Sequence, residues 1–459
     1  MTHIAILGGG PAGYVAAVRA RQLGAEVTLV EMAELGGTCT NRGCIPSKAL
    51  LRSAEVAREA QRLLDYGVEG EFRGVSWAKV MARKQQVVEQ LRTGVELLMK
   101  QNGVRLVRGR GRLAEPLVIS VETEGREETV RADRVLLATG SAPARLPLPG
   151  FDLPGVITSD EMLEISEIPE SLAIIGAGPI GVEFADIFNA VGSKVMLIEM
   201  MPRLVPLEDE EISAELARSF RRRRIESFVG ATVTGVERRD GRRVVRFEHD
   251  GKAREAEAEV VLSAVGRRPE TEGLGLAEAG VELDRGAVKV NGRMETSVRG
   301  VYAAGDAVGG MLLAHVAFAE GKVAVANAMG QQREADYRAI PSAVYTHPEI
   351  GSTGLTEAQA REGGMEVKVG RFAFRASGRA LAEGQREGLA KIVVEAATDK
   401  VVGGHVIGPR ATDLIHEVVL AIQMGATAQQ LGEMVHGHPT LSESINEAAE
   451  DALGMAIHK

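Results

Sequence analysis

Cys39 and Cys44 are the only cysteines among 459 residues, and they sit in the run GGTCTNRGCIPSK, residues 36 to 48. Five residues apart, two thiols can close a disulfide only where the backbone leaves regular helix between them, and Gly43 with Pro46 makes that feasible. Pro46 suits the first turn of a helix predicted over residues 47–51, so Cys44 falls at a helix N-terminus, where the dipole favours the thiolate and lowers its pKa. Two other uses of the pair remain open on its own account. They are two buried free cysteines, or half a zinc site, although zinc usually takes four ligands and the chain has no second cysteine pair. So few cysteines do not make a structural framework, which leaves catalysis or metal binding.

Thiol–disulfide exchange needs a base to take a proton from the incoming thiol. Among the nine histidines, those in the run HGHPTLSE, residues 436 to 443, are the best placed. Pro439 restricts the backbone beside His438, and Glu443, opening the next helix, can hydrogen-bond the imidazole and set its tautomer. His438 is the candidate base; a plain turn residue is the alternative for a histidine before proline.

The elements that must carry these groups form an internal repeat. Gly8-x-Gly10-x-x-Gly13 follows an apolar strand and opens a helix through Leu23, with Pro11 at its start and Ala12 within the turn; a second strand over residues 25–30 then ends in Glu31. The pattern recurs 168 residues later as Gly176, Gly178 and Gly181, a helix to about Val191, a strand from Lys194, and Glu199. The first glycine makes the tight turn, the second lets backbone N–H groups approach a pyrophosphate, and the third allows close helix packing. The helix N-terminus adds partial positive charge. The carboxylate 23 residues on accepts from a ribose diol and repels a 2′-phosphate, so Glu199 favours NAD over NADP. Two such sites ask for two dinucleotides, a bound flavin and a diffusing nicotinamide, with hydride passing between them. A Cys44 thiolate beside that flavin could donate to it. Each unit also has a closing strand, residues 134–138 running into Thr139-Gly140 and 260–264 into Val265-Gly266.

The length calls for two or three domains. A Pro-rich crossing over residues 144–154 is a boundary, a helix is predicted over 76–101, and strands joined by turns around Asp240-Gly241 and Asp250-Gly251. An apolar strand from Val301 ends in Gly305-Asp306; Asp306 suits a flavin's ribityl or phosphate region and equally a helix cap or turn. In the last third, strands over 390–394 and 401–407 alternate with helices over 413–424 and 442–455, an antiparallel sheet covered by helices. A formal charge of −9 disfavours nonspecific nucleic-acid binding, and Arg221 to Arg224 continue an acidic stretch as a solvated helix of mixed charge. No apolar run approaches the length of a membrane span. The first strand starts almost at Met1 with no cleavable leader before it, so a cytoplasmic protein is expected.

GGTCTNRGCIPSK, the run GDAVGGMLLAH at 305–315 and HGHPTLSE together resemble the pyridine nucleotide-disulfide oxidoreductases, and within them the lipoamide branch, in order and spacing along the whole chain. The resemblance implies an α/β fold of two Rossmann-like dinucleotide-binding domains plus a C-terminal α+β dimerisation domain. It assigns residues 1–147 to FAD, 148–270 to NAD, 271–338 to a central segment completing the FAD site and 339–459 to the interface domain. FAD would be contacted by Gly8 to Gly13, Glu31, Gly37, Thr38, Lys48, Gly111, Thr139, Gly140, Asp306 and Ala314, and NAD by Gly176, Gly178, Gly181, Glu199 and Gly266. Lys48 would pair with Glu183 near flavin N5. The implied protein is a homodimer in which His438 and Glu443 reach the disulfide of the other subunit. The implied reaction is oxidation of protein-bound dihydrolipoamide by NAD through that disulfide: the dithiol attacks Cys39 and Cys44 leaves as thiolate against the flavin. Partners would be the lipoyl domains and acyltransferase core of a 2-oxo acid dehydrogenase complex, or a glycine cleavage system, without nucleic acid, membrane or metal. A role as a docking component of such a core is compatible with catalysis. Glu199 argues against the NADP-using glutathione branch, and the lack of a C-terminal cysteine pair argues against the mercuric branch. Departures are Thr40 and Arg42, where apolar residues are usual, and Glu270, where Asn is common; Arg42 is expected to stabilise the thiolate and alter the redox poise.

Overall fold

The computed structural model describes residues 1–123 and 125–459. The two glycine-rich units each build a five-stranded parallel sheet with the strand before the turn at its centre. The first runs in the order Val301–Ala303, Arg134–Leu137, His3–Leu7, Glu26–Glu31, Arg105–Arg108. The second runs Glu226–Val229, Lys194–Glu199, Ser171–Ile175, Val260–Ser263, Val156–Ile157. Continuous apolar runs such as Ile4 to Leu7 and Leu172 to Ile175 are buried on both faces, as parallel strands covered by helices must be. The strand from Val301 therefore belongs to the first sheet although the second unit lies between them in the chain.

A three-stranded antiparallel sheet over Thr232–Arg239, Arg242–His249 and Lys252–Ala258 accompanies the second unit. Its turns were legible because Asp240, Gly241, Asp250 and Gly251 all take positive φ, which this pair of residue types favours in tight hairpins. The first unit carries a matching sheet over Arg110–Glu115, Val118–Thr123 and Arg126–Arg131 that the sequence did not announce. There the first turn has Leu117, not a turn former, at positive φ, and the strands are rich in Arg and Glu on their exposed faces.

The C-terminal sheet is antiparallel, in the order Ser342–Val344, Glu349–Gly354, Val401–Gly408, Leu389–Glu395, Val367–Ala373. Helix Ala411–Met424 lies on its central strands and helix Glu443–Ala452 on the far pair. Gly351 and Gly370 allow that approach: a Cβ there would stand 2.2 Å from the Ala411 carbonyl oxygen and 1.8 Å from that of Ala448.

One apolar cluster joins all three regions. It contains Leu50 and Leu51 from helix Cys44–Ala60, Val182, Phe184 and Phe188 from helix Pro179–Ala190, and Val344, Ile350 and Ile407 from the C-terminal sheet. Each such side chain contributes roughly 1.5–3 kcal/mol on burial. An ion pair between the same helices adds less, so packing holds them together and the charges set their alignment. Helix Cys44–Ala60 begins earlier and runs longer than predicted, and Cys44 is its first residue. Among the described residues no helix is long and apolar enough to cross a membrane.

Candidate active site

The thiol pair is made by a break between two helices. Gly36 and Gly37 turn the chain with φ of +91° and +57°, helix Gly37–Arg42 carries Cys39, and Gly43 leaves helical geometry at φ −151°, ψ −111°. A Cβ on Gly37 would lie 2.6 Å from Gly10 Cα, so the thiol helix rests directly on the first glycine-rich turn. Cys39 and Cys44 are free and partly buried. The adjoining Cys39 thiol pulls Cys44 down to about 7; burial opposes it, the Lys48 ammonium assists, and Glu183 opposes. Cys39 is driven the other way, by its neighbour Cys44 and by burial. Cys44 is thus the more acidic of the pair.

Lys48, one turn beyond Cys44, donates to both oxygens of Glu183 at 2.9 Å. Glu183 also accepts the Tyr345 N–H at 3.0 Å, and the Tyr345 ring lies 4.4 Å from Lys48 Nζ. Burial works against the lysine charge, but Glu183 and the Cys44 thiolate outweigh it and hold its pKa above the ordinary value. Tyr345 had no signal in the sequence, because it contributes a backbone N–H from 162 residues away. Arg42 does not face the thiols. Its guanidinium pairs with Glu34 at 2.7 Å, with 45% of its side chain exposed, so the expected stabilisation of the thiolate by Arg42 is replaced by that of Lys48.

The two glycine-rich turns have the shape a pyrophosphate requires. Gly8 and Gly13 are closed by protein: an added Cβ would meet the Ala138 carbonyl oxygen at 2.2 Å and that of Gly8 at 1.8 Å. Gly10 is open, with Gly37 Cα at 3.8 Å as its one neighbour, and no side chain caps the helix that starts at Pro11. In the second unit Gly176 and Gly181 are closed in the same way, while Gly178 and Gly266 have nothing within 4 Å. Both helices therefore present free N–H groups towards open space. Glu31 accepts from the Gly9 and Ala33 N–H groups at 2.7 Å each; Glu199 accepts from Ala177 at 2.6 Å and Met201 at 2.7 Å. The 168-residue offset of the motif is thus an offset of the hydrogen bonds too. Both turns fit a dinucleotide.

Asp306 lies in the short helical turn Gly305–Val308 and accepts from the Ser141 hydroxyl, which in turn accepts from Arg267 Nε at 2.8 Å. It does not cap helix Ala314–Ala328, whose cap is Leu313; Ala314 is that helix's first residue. Thr139 and Gly140 bind Glu270 through its backbone, at 2.7 Å from the Thr139 hydroxyl and 2.9 Å to the Gly140 carbonyl. Glu270 thus supplies main-chain groups, which any residue there would carry. Gly111 is enclosed, with Leu7 2.5 Å from an added Cβ, and Thr38 stands one residue before Cys39 in the thiol helix. Sequence reasoning missed Ser141, Arg267 and Glu320. Glu320 is buried and accepts from the Gly305 N–H at 2.7 Å and the Tyr337 hydroxyl at 2.8 Å.

His438 Nδ1 is 2.8 Å from Glu443 Oε1, and the Thr440 N–H holds the other carboxylate oxygen at 2.7 Å. A carboxylate on Nδ1 makes that nitrogen the protonated one in the neutral ring and leaves Nε2 as the base. The ring is 80% exposed. Within the chain it has no hydrogen bond to either thiol among the described residues. His436 is the buried one of the two, held by Glu417 at 2.8 Å.

Two family models match the chain: pyridine nucleotide-disulphide oxidoreductase over residues 2–321, and the pyridine nucleotide-disulphide oxidoreductase dimerisation domain over residues 340–449. The chain is 45% identical over 458 residues to a dihydrolipoyl dehydrogenase of Thermus scotoductus, covering 99% of this chain and 98% of that one. It is 41% identical over 466 residues to a dihydrolipoyl dehydrogenase of Bacillus subtilis, covering 99% of each. Among solved structures it is similar to LpdA from Mycobacterium tuberculosis, with a TM-score of 0.91, 30% identity, and 98% and 99% of the two chains covered. It is also similar to the HOCl-induced flavoprotein disulfide reductase RclA from Escherichia coli, with a TM-score of 0.87, 27% identity and the same coverage.

Proposed function

The chain belongs to the pyridine nucleotide-disulphide oxidoreductase family, and from that premise we propose that it oxidises dihydrolipoyl groups with NAD through FAD and the Cys39–Cys44 couple. The observation that carries this is the placing of the thiol pair: Cys39 and Cys44 flank a break between two helices that rest on the first glycine-rich turn, with Lys48 one turn beyond Cys44 and held by Glu183. The dimerisation-domain match supports a homodimer.

In the oxidised protein the two sulfurs form a disulfide. A substrate thiolate attacks the sulfur of Cys39, Cys44 leaves as the thiolate, and His438 of the partner subunit takes the substrate proton, with Glu443 holding the ring. The second substrate sulfur then displaces Cys39, which closes the lipoyl disulfide and leaves the protein dithiol. The first glycine-rich turn and Glu31 would hold FAD, which would supply the two-electron redox chemistry between the dithiol and NAD⁺. Lys48 and Glu183 keep a compensated charge pair at that point, and the second turn with Glu199 holds the nicotinamide dinucleotide. The net change is dithiol plus NAD⁺ to disulfide, NADH and one proton. The working partners are lipoyl-bearing proteins of a 2-oxo acid dehydrogenase complex or a glycine cleavage system, and the compartment is the cytoplasm, where such thiols are kept cycling.

The purified homodimer loaded with FAD is expected to reduce NAD⁺ with dihydrolipoamide and to leave NADP⁺ nearly untouched. A protein that takes up FAD yet gives no NADH from this dithiol would refute the assignment. Glu199→Ala should lower kcat/KM for NAD⁺ by about 10- to 100-fold, the loss of charge-assisted hydrogen bonds worth about 1.5–3 kcal/mol. The same change should narrow the gap to NADP⁺, because the group that repels a 2′-phosphate is gone. Steady-state kinetics with both nucleotides check this, and an unchanged ratio counts against Glu199 as the selecting group.

A further inference from the structure

Asp186 is buried completely, one helical turn beyond Glu183 on helix Pro179–Ala190, and plays no part in the chemistry above. Its surroundings repeat those of Glu183. Glu183 takes Lys48 from helix Cys44–Ala60 and the Tyr345 N–H; Asp186 takes Arg58 from the same helix at 2.8 Å and the His347 N–H at 3.3 Å. Lys48 and Arg58 lie about 15 Å apart along their helix, whereas Glu183 and Asp186 lie about 4.5 Å apart along theirs. The two long side chains therefore converge on one spot.

A third arm comes from Arg223, which binds Asp186 through Nη1 and the His347 carbonyl through Nη2 at 2.6 Å. Arg223 was expected on a solvated face as part of the run Arg221 to Arg224; instead only 18% of its side chain is exposed. The helix Glu210–Arg222 ends one residue before it and Arg224 takes positive φ, and this turn sends Arg223 inward while its neighbours stay in solvent. Burial raises the Asp186 carboxyl, but Arg223 and Arg58 outweigh that and keep it ionised, below the usual range. Burial, joined by Arg58, pushes His347 down to about 4, so it is neutral at pH 7 and the charge balance rests on Asp186 and the two arginines.

We propose that Asp186 is a positioning residue for the Cys44 thiolate: by clamping Arg58, Arg223 and the Tyr345–His347 segment, it fixes how helix Cys44–Ala60 lies on the Glu183 helix and so holds Lys48 beside Cys44. This rests on Cys44 being the reactive thiolate of the proposed function. The arrangement is adjustable at the atomic level, because one cluster of apolar side chains joins the helices but does not orient a flexible lysine. Two fixed carboxylates and the Tyr345 ring over Nζ do.

The sign of the effect separates positioning from simple charge. Asp186→Asn removes a negative charge, which through space alone would ease ionisation of Cys44 and lower its midpoint. Loosening Lys48 raises it. On a Cys39→Ser background, in the reduced FAD-loaded homodimer, the rate of Cys44 alkylation by iodoacetamide is measured against pH with and without Asp186→Asn. The expected result is a midpoint about one pH unit higher with the substitution. A lower midpoint would show a charge effect only, and an unmoved midpoint with a lowered Tm a purely structural role; either overturns the proposal. Should Asp186→Asn not fold, Arg58→Lys on the same background keeps the charge but loses the planar fork. A raised midpoint supports the proposal there, and an unmoved one overturns it. Turnover of dihydrolipoamide by the unsubstituted protein is assayed separately, so failure of the proposed function shows without disturbing the thiol titration.

Discussion

Cys44→Ser is expected to abolish dithiol-driven NADH formation, by at least about 10⁴-fold, with the protein folded and still binding FAD. The hydroxyl is near in size to the thiol, and Cys44 is only partly buried, so packing changes little. What disappears is the sulfur that must leave as a stable thiolate when Cys39 is attacked, and the loss is of the size seen when a covalent nucleophile is removed. Cys39→Ser loses turnover equally, but the two differ in absorbance. Reduced protein with Cys44 intact should show a long-wavelength band from its thiolate against oxidised flavin, and that band should fade as pH falls through about 7, where Cys44 takes up its proton. Cys39→Ser should keep the band and Cys44→Ser lose it. A band that survives in Cys44→Ser would assign the thiolate to the wrong sulfur.

His438→Gln is expected to lower turnover by about 10²–10⁴-fold, the usual contribution of a positioned general base, with little change in KM for NAD⁺. Glu443→Gln should cost less, because the ring keeps a hydrogen-bonding neighbour but loses the charge that fixes its tautomer. The exposure of His438 leads to a sharper test. If each site draws its thiols from one subunit and its base from the other, a chain with Cys44→Ser and a chain with His438→Gln are each inactive as homodimers. A mixed dimer then has one site with both groups intact, and activity returns on subunit exchange. No recovery in a verified heterodimer would place base and thiols in the same subunit and require His438 to be reassigned.

Much of this protein is written locally. The hydrogen bonds of Glu31 and Glu199 duplicate each other because a strand, a glycine turn and a helix of set length bring the carboxylate back to the turn 22 residues earlier, whatever else the chain does. The thiol break at Gly43 and the His438–Glu443 contact across five residues are equally short-range, and residue types alone foretold them. The pairing of Lys48 with Glu183 spans 135 residues and was legible only through family resemblance.

Other features depended on direction in space. Arg42 and Lys48 both flank Cys44 in sequence, yet one turns to Glu34 on the surface and the other inward to Glu183. Nothing in their type distinguishes them; the way each one's own helix, on either side of the break at Gly43, faces the core does. Tyr345 and His347 bring backbone N–H groups, which every residue but proline carries, so no pattern could mark them. Arg223 stands in a run of four identical residues, and only the fold turned that one into a charge buried against Asp186. Local periodicity and turn chemistry thus determined the two glycine-turn units, the break between the two cysteines and the contact of His438 with Glu443. The tertiary structure alone decided which charges surround the thiolate, because that depends on which faces of distant helices are pressed together when their apolar sides leave water.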